Sequence, residues 1–375
     1  MIVTVGAVAA GGACVARDAD GRVVFVRHAL PGETVRVVVT SSGSKFLRAD
    51  AVEVLTPSPD RVAPECAFAG PSLCGGCDWQ HASPSLQLSL KTSLVEEQLR
   101  RVGGFWWDGA VEAVEPLLGW RTRVQWADGI GFHAHRSAEV VPVSSCVIAL
   151  DPTPPGPLGA VVEVMAASGQ RTVVADGRPV VGHGLRVPVL GRSFEVAGGG
   201  FWQVHSSAPA LLASEVLSLA AVQPGESVVD LYAGVGLFAS LLGEAVGPSG
   251  SVTAVEASSR ACADAARNTH DQPWVRIRTA AVEVPLVRGL RADVIVLDPP
   301  RAGAGLEVSA ALAALRPRVV VYVSCDPATF ARDLHVFLDA GWAVESLRAF
   351  DLYPQTEHVE LVCALTPPPV ASPPP

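Results

Sequence analysis

Residues 227–238 read Ser-Val-Val-Asp-Leu-Tyr-Ala-Gly-Val-Gly-Leu-Phe, an apolar run that ends at Asp230 and passes through a glycine turn into a helical pattern. Because glycine has no Cβ, Gly234 and Gly236 let the backbone approach a ligand closely. A strand, a glycine turn and a helix in this order form the unit of open α/β sheets, whose ligands bind beyond the carboxyl ends of the strands. The segment predicts such a sheet, and alternating helix and strand patterns extend it over residues 206–365.

Two later strands end in carboxylates that suit a nucleoside ligand. The strand-like residues 252–256 end at Glu256, where a carboxylate can accept hydrogen bonds from both ribose hydroxyls. A second apolar run ends at Asp298, and Pro299 and Pro300 fix the backbone after it. The third glycine of a dinucleotide fingerprint is missing, so an adenosyl ligand without phosphates fits better. These patterns predict a Rossmann-like class I methyltransferase domain that binds S-adenosylmethionine.

A cysteine follows another buried apolar run, in the segment Val323-Ser324-Cys325-Asp326-Pro327. Most methyltransferases of this fold need no nucleophile, so Cys325 indicates covalent activation of an unreactive pyrimidine carbon. A thiolate that adds to carbon 6 of uracil makes carbon 5 able to accept a methyl group, and a base must then remove the proton on carbon 5. Glu360 is the predicted base and Glu357 its rival. In a strand these two carboxylates would lie on opposite faces.

Uracil is favoured over cytosine by the residue after the two prolines. Enzymes that make 5-methylcytosine pair two cysteines, one of them directly after the proline, and this chain has Arg301 there. An RNA cytosine-5 methyltransferase is the alternative enzyme. A non-catalytic RNA-binding or assembly factor is the non-enzymatic alternative, and Cys325, Glu360 and the glycine turn argue against it.

The rest of the 375-residue chain predicts two further units and a tail. Short β-branched runs and tight turns over residues 1–56 predict a small OB-like barrel. Residues 57–205 predict an α+β central domain with one helix from about Ser83 to Val102. The Pro-rich residues 366–375 are expected to be disordered. We expect a monomeric cytoplasmic protein, because no secretory leader and no membrane-spanning apolar stretch is evident.

Composition restricts any RNA contact to a local surface. The net charge is −9 and lysine occurs only at two positions, so arginine supplies nearly all positive charge. One segment of the central domain interleaves arginines with aromatic residues, a pattern that can bind phosphates and stack on unpaired bases. Its members are Trp120, Arg121, Arg123, Trp126, Phe132 and Arg136.

Four of the eight cysteines have the spacing of a metal site. Cys66, Cys74 and Cys77 lie close in sequence, and Cys146 follows much later. Four thiolates can hold a structural zinc ion or a [4Fe-4S] cluster, and the spacing alone leaves both open. Cys262 and Cys363 are expected to be core residues, and Cys14 to be structural or incidental.

Together these motifs resemble the RNA uracil-5 methyltransferases, which make 5-methyluridine in ribosomal and transfer RNA. The resemblance lies in residues 230–238, in Asp298-Pro299-Pro300-Arg301, in Ser324-Cys325-Asp326-Pro327 and in His358-Val359-Glu360. The segment Phe201-Trp202-Gln203-Val204-His205 resembles a Phe-x-Gln-Val-Asn segment of the family, with His205 and Asp326 as departures.

The resemblance implies roles that the residues alone do not fix. It implies that Gln203, Tyr232, Glu256 and Asp298 bind S-adenosylmethionine, with Cys325 as nucleophile and Glu360 as base. It also implies that the N-terminal barrel is a TRAM domain that binds RNA, that the four clustered cysteines hold [4Fe-4S] rather than zinc, and that 23S ribosomal RNA is a better substrate than transfer RNA.

Overall fold

The computed structural model describes residues 1–369, which form four sheets and seven helices. The N-terminal strands are β1 (Ile2–Thr4), β2 (Cys14–Arg17), β3 (Val23–Arg27), β4 (Thr34–Ser42) and β5 (Phe46–Thr56). The middle of the chain contains α1 (Pro84–Arg101), β6 (Val111–Ala113), β7 (Arg123–Ala127), β8 (Gly131–His133), β9 (Val140–Pro142), β10 (Val161–Ala167), β11 (Gln170–Ala175), β12 (Arg178–Val181), β13 (Gly184–Val189) and β14 (Arg192–Ala197). The remainder contains α2 (Ala208–Ala220), β15 (Ser227–Leu231), α3 (Leu237–Val246), β16 (Ser251–Glu256), α4 (Ser259–Asn268), β17 (Val275–Thr279), α5 (Val284–Arg288), β18 (Val294–Leu297), α6 (Leu306–Leu315), β19 (Val319–Ser324), α7 (Pro327–Asp339), β20 (Ala343–Asp351) and β21 (Glu360–Thr366).

The N-terminal unit is a curved sheet with the strand order β1-β4-β5-β3-β2. Alternate residues of β3 are buried, as expected of strands with one face on a core. The residues just after β1 approach β2, because the Gly6 N–H donates to the Val15 carbonyl (2.7 Å) and the Val15 N–H to the Ala7 carbonyl (2.9 Å). The predicted barrel therefore takes the form of a five-stranded sheet whose two ends meet through these hydrogen bonds.

The C-terminal sheet confirms the predicted α/β fold. Its order is β17-β16-β15-β18-β19-β21-β20-β6, and the strands from β17 to β19 are parallel. Every residue of β18 and β19 is buried, because helices cover both faces of the sheet. Leu212 of α2 and Phe238 of α3 pack in the core on one face, and Leu312 of α6 and Leu334 of α7 in the core on the other.

The middle of the chain contributes to two different units. Strands β7 to β12 form a six-stranded antiparallel sheet in the order β12-β11-β10-β7-β8-β9, and β13 and β14 form a hairpin. Helix α1, predicted from about Ser83 to Val102 and capped by Ser83, instead packs on α7, and β6 pairs with β20 at the edge of the large sheet. The segment 57–205, predicted as one central domain, therefore supplies a helix and an edge strand to the C-terminal unit.

The structure describes only the first part of the tail predicted to be disordered, residues 366–369. Thr366 is the last residue of β21, and the Pro368 carbonyl accepts a hydrogen bond from Arg316 (2.5 Å), so the ordered chain extends beyond the predicted boundary at residue 365. Residues 370–375 lie outside the described residues. Within residues 1–369, no helix has the length and apolarity needed to cross a membrane.

Candidate active site

The strand register brings the predicted site residues to one edge of the large sheet. Leu231 pairs with both Val255 and Leu297, so the residues that follow them, Tyr232, Glu256 and Asp298, emerge side by side. A cavity of about 1070 Å³ lies at this edge. Seven of the predicted residues line it, namely Gln203, Tyr232, Gly234, Glu256, Asp298, Cys325 and Glu360.

The two glycines of the turn have different tasks. Gly234 lines the cavity with a positive φ of 54°, and its N–H donates to Glu256 Oε2 (3.0 Å). Glu256 Oε1 accepts from the Ser258 N–H (2.7 Å), so the carboxylate is fixed in orientation while its other lone pairs stay available. Gly236 lies outside the lining. A Cβ there would come within 3.1 Å of Ala265 Cβ, so Gly236 permits the close packing of α3 on α4, and its contact with a cofactor stays a prediction.

Buried acidic groups surround the glycine turn. Gln203 Nε2 donates to Asp298 Oδ2 (3.3 Å), and burial raises the pKa of Asp298 to about 7. Asp230 is fully buried behind the turn, where Oδ2 accepts from the Ala239 N–H (2.9 Å) and Oδ1 has no partner among the described residues. Burial, and then the charges of Asp298 and Glu256, raise the pKa of Asp230 to about 8. This concentration of acids favours a ligand that carries positive charge.

Cys325 and Glu360 lie next to each other on adjacent antiparallel strands. The register pairs Ser324 with Leu361, so the next residues toward the cavity are Cys325 and Glu360. Burial, followed by the charges of Glu360 and Asp298, raises the pKa of the Cys325 thiol to about 12. Burial and Asp298 also raise the pKa of Glu360 well above its usual value. The pKa values of both groups therefore lie above those of the free side chains, and ionisation of either group depends on the contacts that face it.

The rival carboxylate, Glu357, also faces the cavity. The expectation that it points away from Glu360 is wrong, because β21 begins only at Glu360 and the residues before it form a loop. Glu357 accepts a hydrogen bond from the Gly11 N–H of the N-terminal unit, and burial and the charge of Asp78 raise its pKa to about 7. Glu357 thus connects the loop to the N-terminal unit. Unlike Glu360, it is not placed beside Cys325 by the pairing of β19 with β21.

The predicted RNA-binding aromatics are mostly core residues. Trp120 and Trp126 are fully buried, and Trp126 stacks on Phe132 with 4.4 Å between ring centroids, so neither indole is free to stack on a base. Arg123 pairs with Glu163 (2.5 Å). Val124 and Trp126 lie on the buried face of β7, whereas Gln125 on the opposite face is exposed.

A smaller group of basic residues does line the cavity. Arg121 and Arg136 were predicted, whereas His135 was missed, and Arg301 was noted only as the residue after the prolines. Tyr353 was also missed, although it precedes the recognised His-Val-Glu segment by only a few residues. These residues come from loops, where sequence periodicity gives no register.

The four clustered cysteines line a second cavity, of about 500 Å³. All four are free thiols, and Cys77 Sγ accepts a hydrogen bond from Gln80 (3.2 Å). Burial raises the pKa of Cys77 to about 12. Within residues 1–369, no three His, Cys, Asp or Glu side chains are close enough to hold a single metal ion. Gly75, Gly76 and Arg121 line both cavities, so the two share a wall.

Two family models match parts of the chain. Residues 1–52 match the TRAM domain, and residues 252–366 match the family described as tRNA (Uracil-5-)-methyltransferase. The structure of Pyrococcus abyssi tRNA (uracil-54, C5)-methyltransferase in complex with S-adenosyl-L-homocysteine superposes with a TM-score of 0.73 at 21% identity, covering 98% of this chain and 100% of that one. This structural similarity supports the fold.

Curated relatives match more than nine tenths of the chain. An RNA methyltransferase of Streptomyces coelicolor is 42% identical over 428 residues, covering 97% of this chain and 92% of its own length. The 23S rRNA (uracil(1939)-C(5))-methyltransferase RlmD of Alkalilimnicola ehrlichii is 32% identical and covers 91% of both chains. The chain therefore belongs to the S-adenosylmethionine-dependent RNA uracil-5 methyltransferases.

Proposed function

We propose that the protein methylates carbon 5 of one uridine in structured RNA through a covalent bond between Cys325 Sγ and carbon 6 of the base. The observation that carries this proposal is the register of β19 and β21, which sets the thiol beside a buried carboxylate at the cavity. A nucleophile and a base within reach of one bound pyrimidine are what the reaction needs.

The cofactor end of the cavity suits S-adenosylmethionine. This molecule supplies the methyl group from a positively charged sulfonium. Glu256, held by Gly234 and Ser258, is placed to accept hydrogen bonds from a ribose. Gln203 and Asp298 lie between this carboxylate and Cys325, where the buried acids attract a sulfonium. Tyr232 lines the same end.

The substrate end supplies the covalent chemistry. Cys325 gives its proton to water and its sulfur bonds to carbon 6, which places the electron pair of the former double bond on carbon 5. Carbon 5 takes the methyl group as the bond from methyl to sulfonium sulfur breaks. Glu360 then removes the proton on carbon 5, the double bond re-forms, and the Sγ–C6 bond breaks. Atoms and charge balance when the proton from carbon 5 is counted, since the products are a methylated uracil, S-adenosylhomocysteine and one proton.

The RNA must present its uridine out of the stack, which costs a few kcal/mol and is easiest in a loop or bulge. Arg121, Arg136 and Arg301 line the cavity and can bind phosphates beside the flipped base. Gly11 of the TRAM unit reaches the same rim, so this unit is positioned to hold RNA next to the cavity.

We favour 23S ribosomal RNA as the substrate, because the named full-length relatives act on it. Labelled S-adenosylmethionine is incubated with protein-free 23S rRNA or with tRNA from a strain that lacks the gene, and the nucleosides are then separated. The proposal predicts label in 5-methyluridine from 23S rRNA. Label only in tRNA would contradict the choice of RNA, and label in 5-methylcytidine would contradict the choice of base.

The cysteine cavity is proposed to hold a [4Fe-4S] cluster that braces the central unit. Four thiols that line one cavity can hold either a [4Fe-4S] cluster or a zinc ion, and the resemblance to the RNA uracil-5 methyltransferases favours the cluster. Iron and sulfide contents of protein purified without oxygen test this. Cys146→Ala should lose the iron, and Cys14→Ala, a buried thiol of the N-terminal unit, should retain it. Stoichiometric zinc without iron would contradict the proposal.

A further inference from the structure

Tyr353 contacts the predicted base directly. Its hydroxyl donates to Glu360 Oε2 (3.1 Å), and Glu360 is only 3% exposed. The tyrosine ring meets Trp120 and His358 edge-on, with centroids 6.3 and 5.8 Å away. Packing on two sides leaves the ring little freedom, so the hydroxyl is directed at the carboxylate.

The backbone of Tyr353 is fixed by a buried ion pair from another part of the chain. Lys91 of α1 is completely buried, forms an ion pair with Asp351 and donates to the Tyr353 carbonyl (3.0 Å). The Tyr353 N–H donates to Asp351 Oδ1 (3.2 Å), and the Thr356 hydroxyl donates to the Tyr353 carbonyl (2.8 Å). A continuous path of contacts therefore runs from Lys91 through Asp351 and Tyr353 to Glu360.

The charges that face Glu360 come from several elements. Asp298, after β18, and a thiolate at Cys325, after β19, disfavour a negative charge on Glu360. Arg301, in the loop after β18, favours it. The Tyr353 hydroxyl, in the bend after β20, is a neutral donor that favours the ionised carboxylate without adding a charge near the sulfonium.

We propose that Tyr353 is a positioning residue, which holds the Glu360 carboxylate ionised and oriented toward carbon 5 of the bound uracil, and that the Lys91–Asp351 pair fixes Tyr353 for this task. The inference rests on the proposed function, in which Glu360 removes the proton from carbon 5. It assigns the buried lysine and the tyrosine to the step that releases the methylated RNA from Cys325.

The sign of the expected pH effect follows from the hydrogen bond. Donation from Tyr353 lowers the pKa of Glu360. Loss of the hydroxyl raises that pKa, so a larger share of Glu360 is protonated at neutral pH and fewer molecules carry an active base. The deficit is largest at low pH and disappears as the pH rises and Glu360 ionises in the variant as well.

The test is the rate at which the covalent protein–RNA adduct resolves into methylated RNA, measured over a range of pH on denaturing gels after a single turnover. Tyr353→Phe removes the hydroxyl and keeps the ring. We expect resolution about tenfold slower at neutral pH, since a hydrogen bond to a charged group changes such an equilibrium by roughly that factor. The rate should approach that of the wild type at high pH.

Tyr322→Phe is the matched control, because it also removes a buried hydroxyl of the C-terminal unit, one that donates to Asp333 (2.8 Å). It should leave the pH profile unchanged, whatever it does to stability. A wild-type profile for folded Tyr353→Phe, or the same shift in both variants, would overturn the proposal. Glu360→Gln distinguishes failure of the Tyr353 proposal from failure of the proposed function. If the Glu360→Gln adduct resolves at the wild-type rate, Glu360 is not the base, and the proposed function fails as well.

Discussion

The two cavities that meet at Gly75 and Gly76 are built in different ways. The larger cavity, which is the proposed active site, takes its key groups from the ends of adjacent strands, so the register of one sheet sets Cys325 beside Glu360 and Tyr232 beside Asp298. The cysteine cavity takes its thiols from loops and turns, with Cys66, Cys74 and Cys77 before α1 and Cys146 after β9. The position of a strand-end group follows from the pairing of its sheet, whereas that of a loop group depends on contacts distant in sequence.

This difference predicts how each cavity responds to substitution. A change at a strand end should remove a chemical step and leave the fold intact, because the sheet is stabilised by its covered faces. A change in the loops or in the contacts that tie the units together should first reduce stability. Three matched pairs of substitutions and one single substitution test this contrast.

The largest effect is expected at the nucleophile. Cys325→Ala should lower methyl transfer by at least about 10⁴-fold, because no other group can form the adduct. Its control is Cys363→Ala, a fully buried thiol on the neighbouring strand, which should retain activity and lose about 1 kcal/mol of stability. Methyl transfer and urea unfolding of both variants measure the contrast. Substantial activity in Cys325→Ala would rule out the covalent mechanism.

The next largest effect is expected at the Lys91–Asp351 ion pair, which connects α1 to the C-terminal unit. Lys91→Met leaves Asp351 buried without its partner, which should destabilise the protein by about 3–5 kcal/mol. Lys45, the other lysine of the chain, is exposed, and Lys45→Met should change stability by less than about 0.5 kcal/mol. Denaturant midpoints measure both. Equal stability of the two variants would mean that the ion pair makes little difference to the fold.

A substitution in the wall that the two cavities share should alter both cavities. A Cβ at Gly75 would lie 2.8 Å from the backbone of His135, so Gly75→Ala must shift that backbone and should cost about 1–3 kcal/mol. A Cβ at Gly76 would meet Cys74 Sγ at an ordinary 3.5 Å. Iron content and methyl transfer should both fall in Gly75→Ala and much less in Gly76→Ala. A loss confined to one property would show that the cavities are independent.

The smallest effect concerns the reactivity of the thiol. The charge of Glu360 raises the pKa of Cys325, so Glu360→Gln should increase the thiolate fraction at a given pH. Alkylation of Cys325 by iodoacetamide should become about tenfold faster. Mass spectrometry of the Cys325 peptide measures the rate, with the buried Cys262 as internal reference. An unchanged rate would show that Glu360 does not influence the thiol.

The sequence predicted the parts of the fold that periodicity controls. The strand before Asp230, the strand that ends at Asp298 and the helix capped by Ser83 lie where the patterns indicated, because burial of apolar runs leaves few arrangements. Single-sequence periodicity did not show that β6 joins the large sheet, since this pairing connects residues far apart in the chain.

The same distinction holds for the site. The positions of Gly234, Glu256, Asp298 and Cys325 at the cavity could be predicted because each lies at or soon after the end of an apolar strand. Tyr353 could not, because its role depends on a bend fixed by Lys91 on a distant helix. Trp120 and Trp126 misled the RNA prediction, since an aromatic residue between arginines has the same sequence pattern whether it is buried or exposed.

The most direct test of the central claim, that Cys325 and Glu360 act on one carbon–carbon bond of uracil, is the release of tritium from RNA labelled at carbon 5 of uridine. The wild-type protein with S-adenosylmethionine should release one tritium for each methyl group transferred. Cys325→Ala should release none, and Glu360→Gln should form the adduct but release tritium slowly. Methyl transfer without tritium release, or release that persists in Cys325→Ala, would contradict the mechanism.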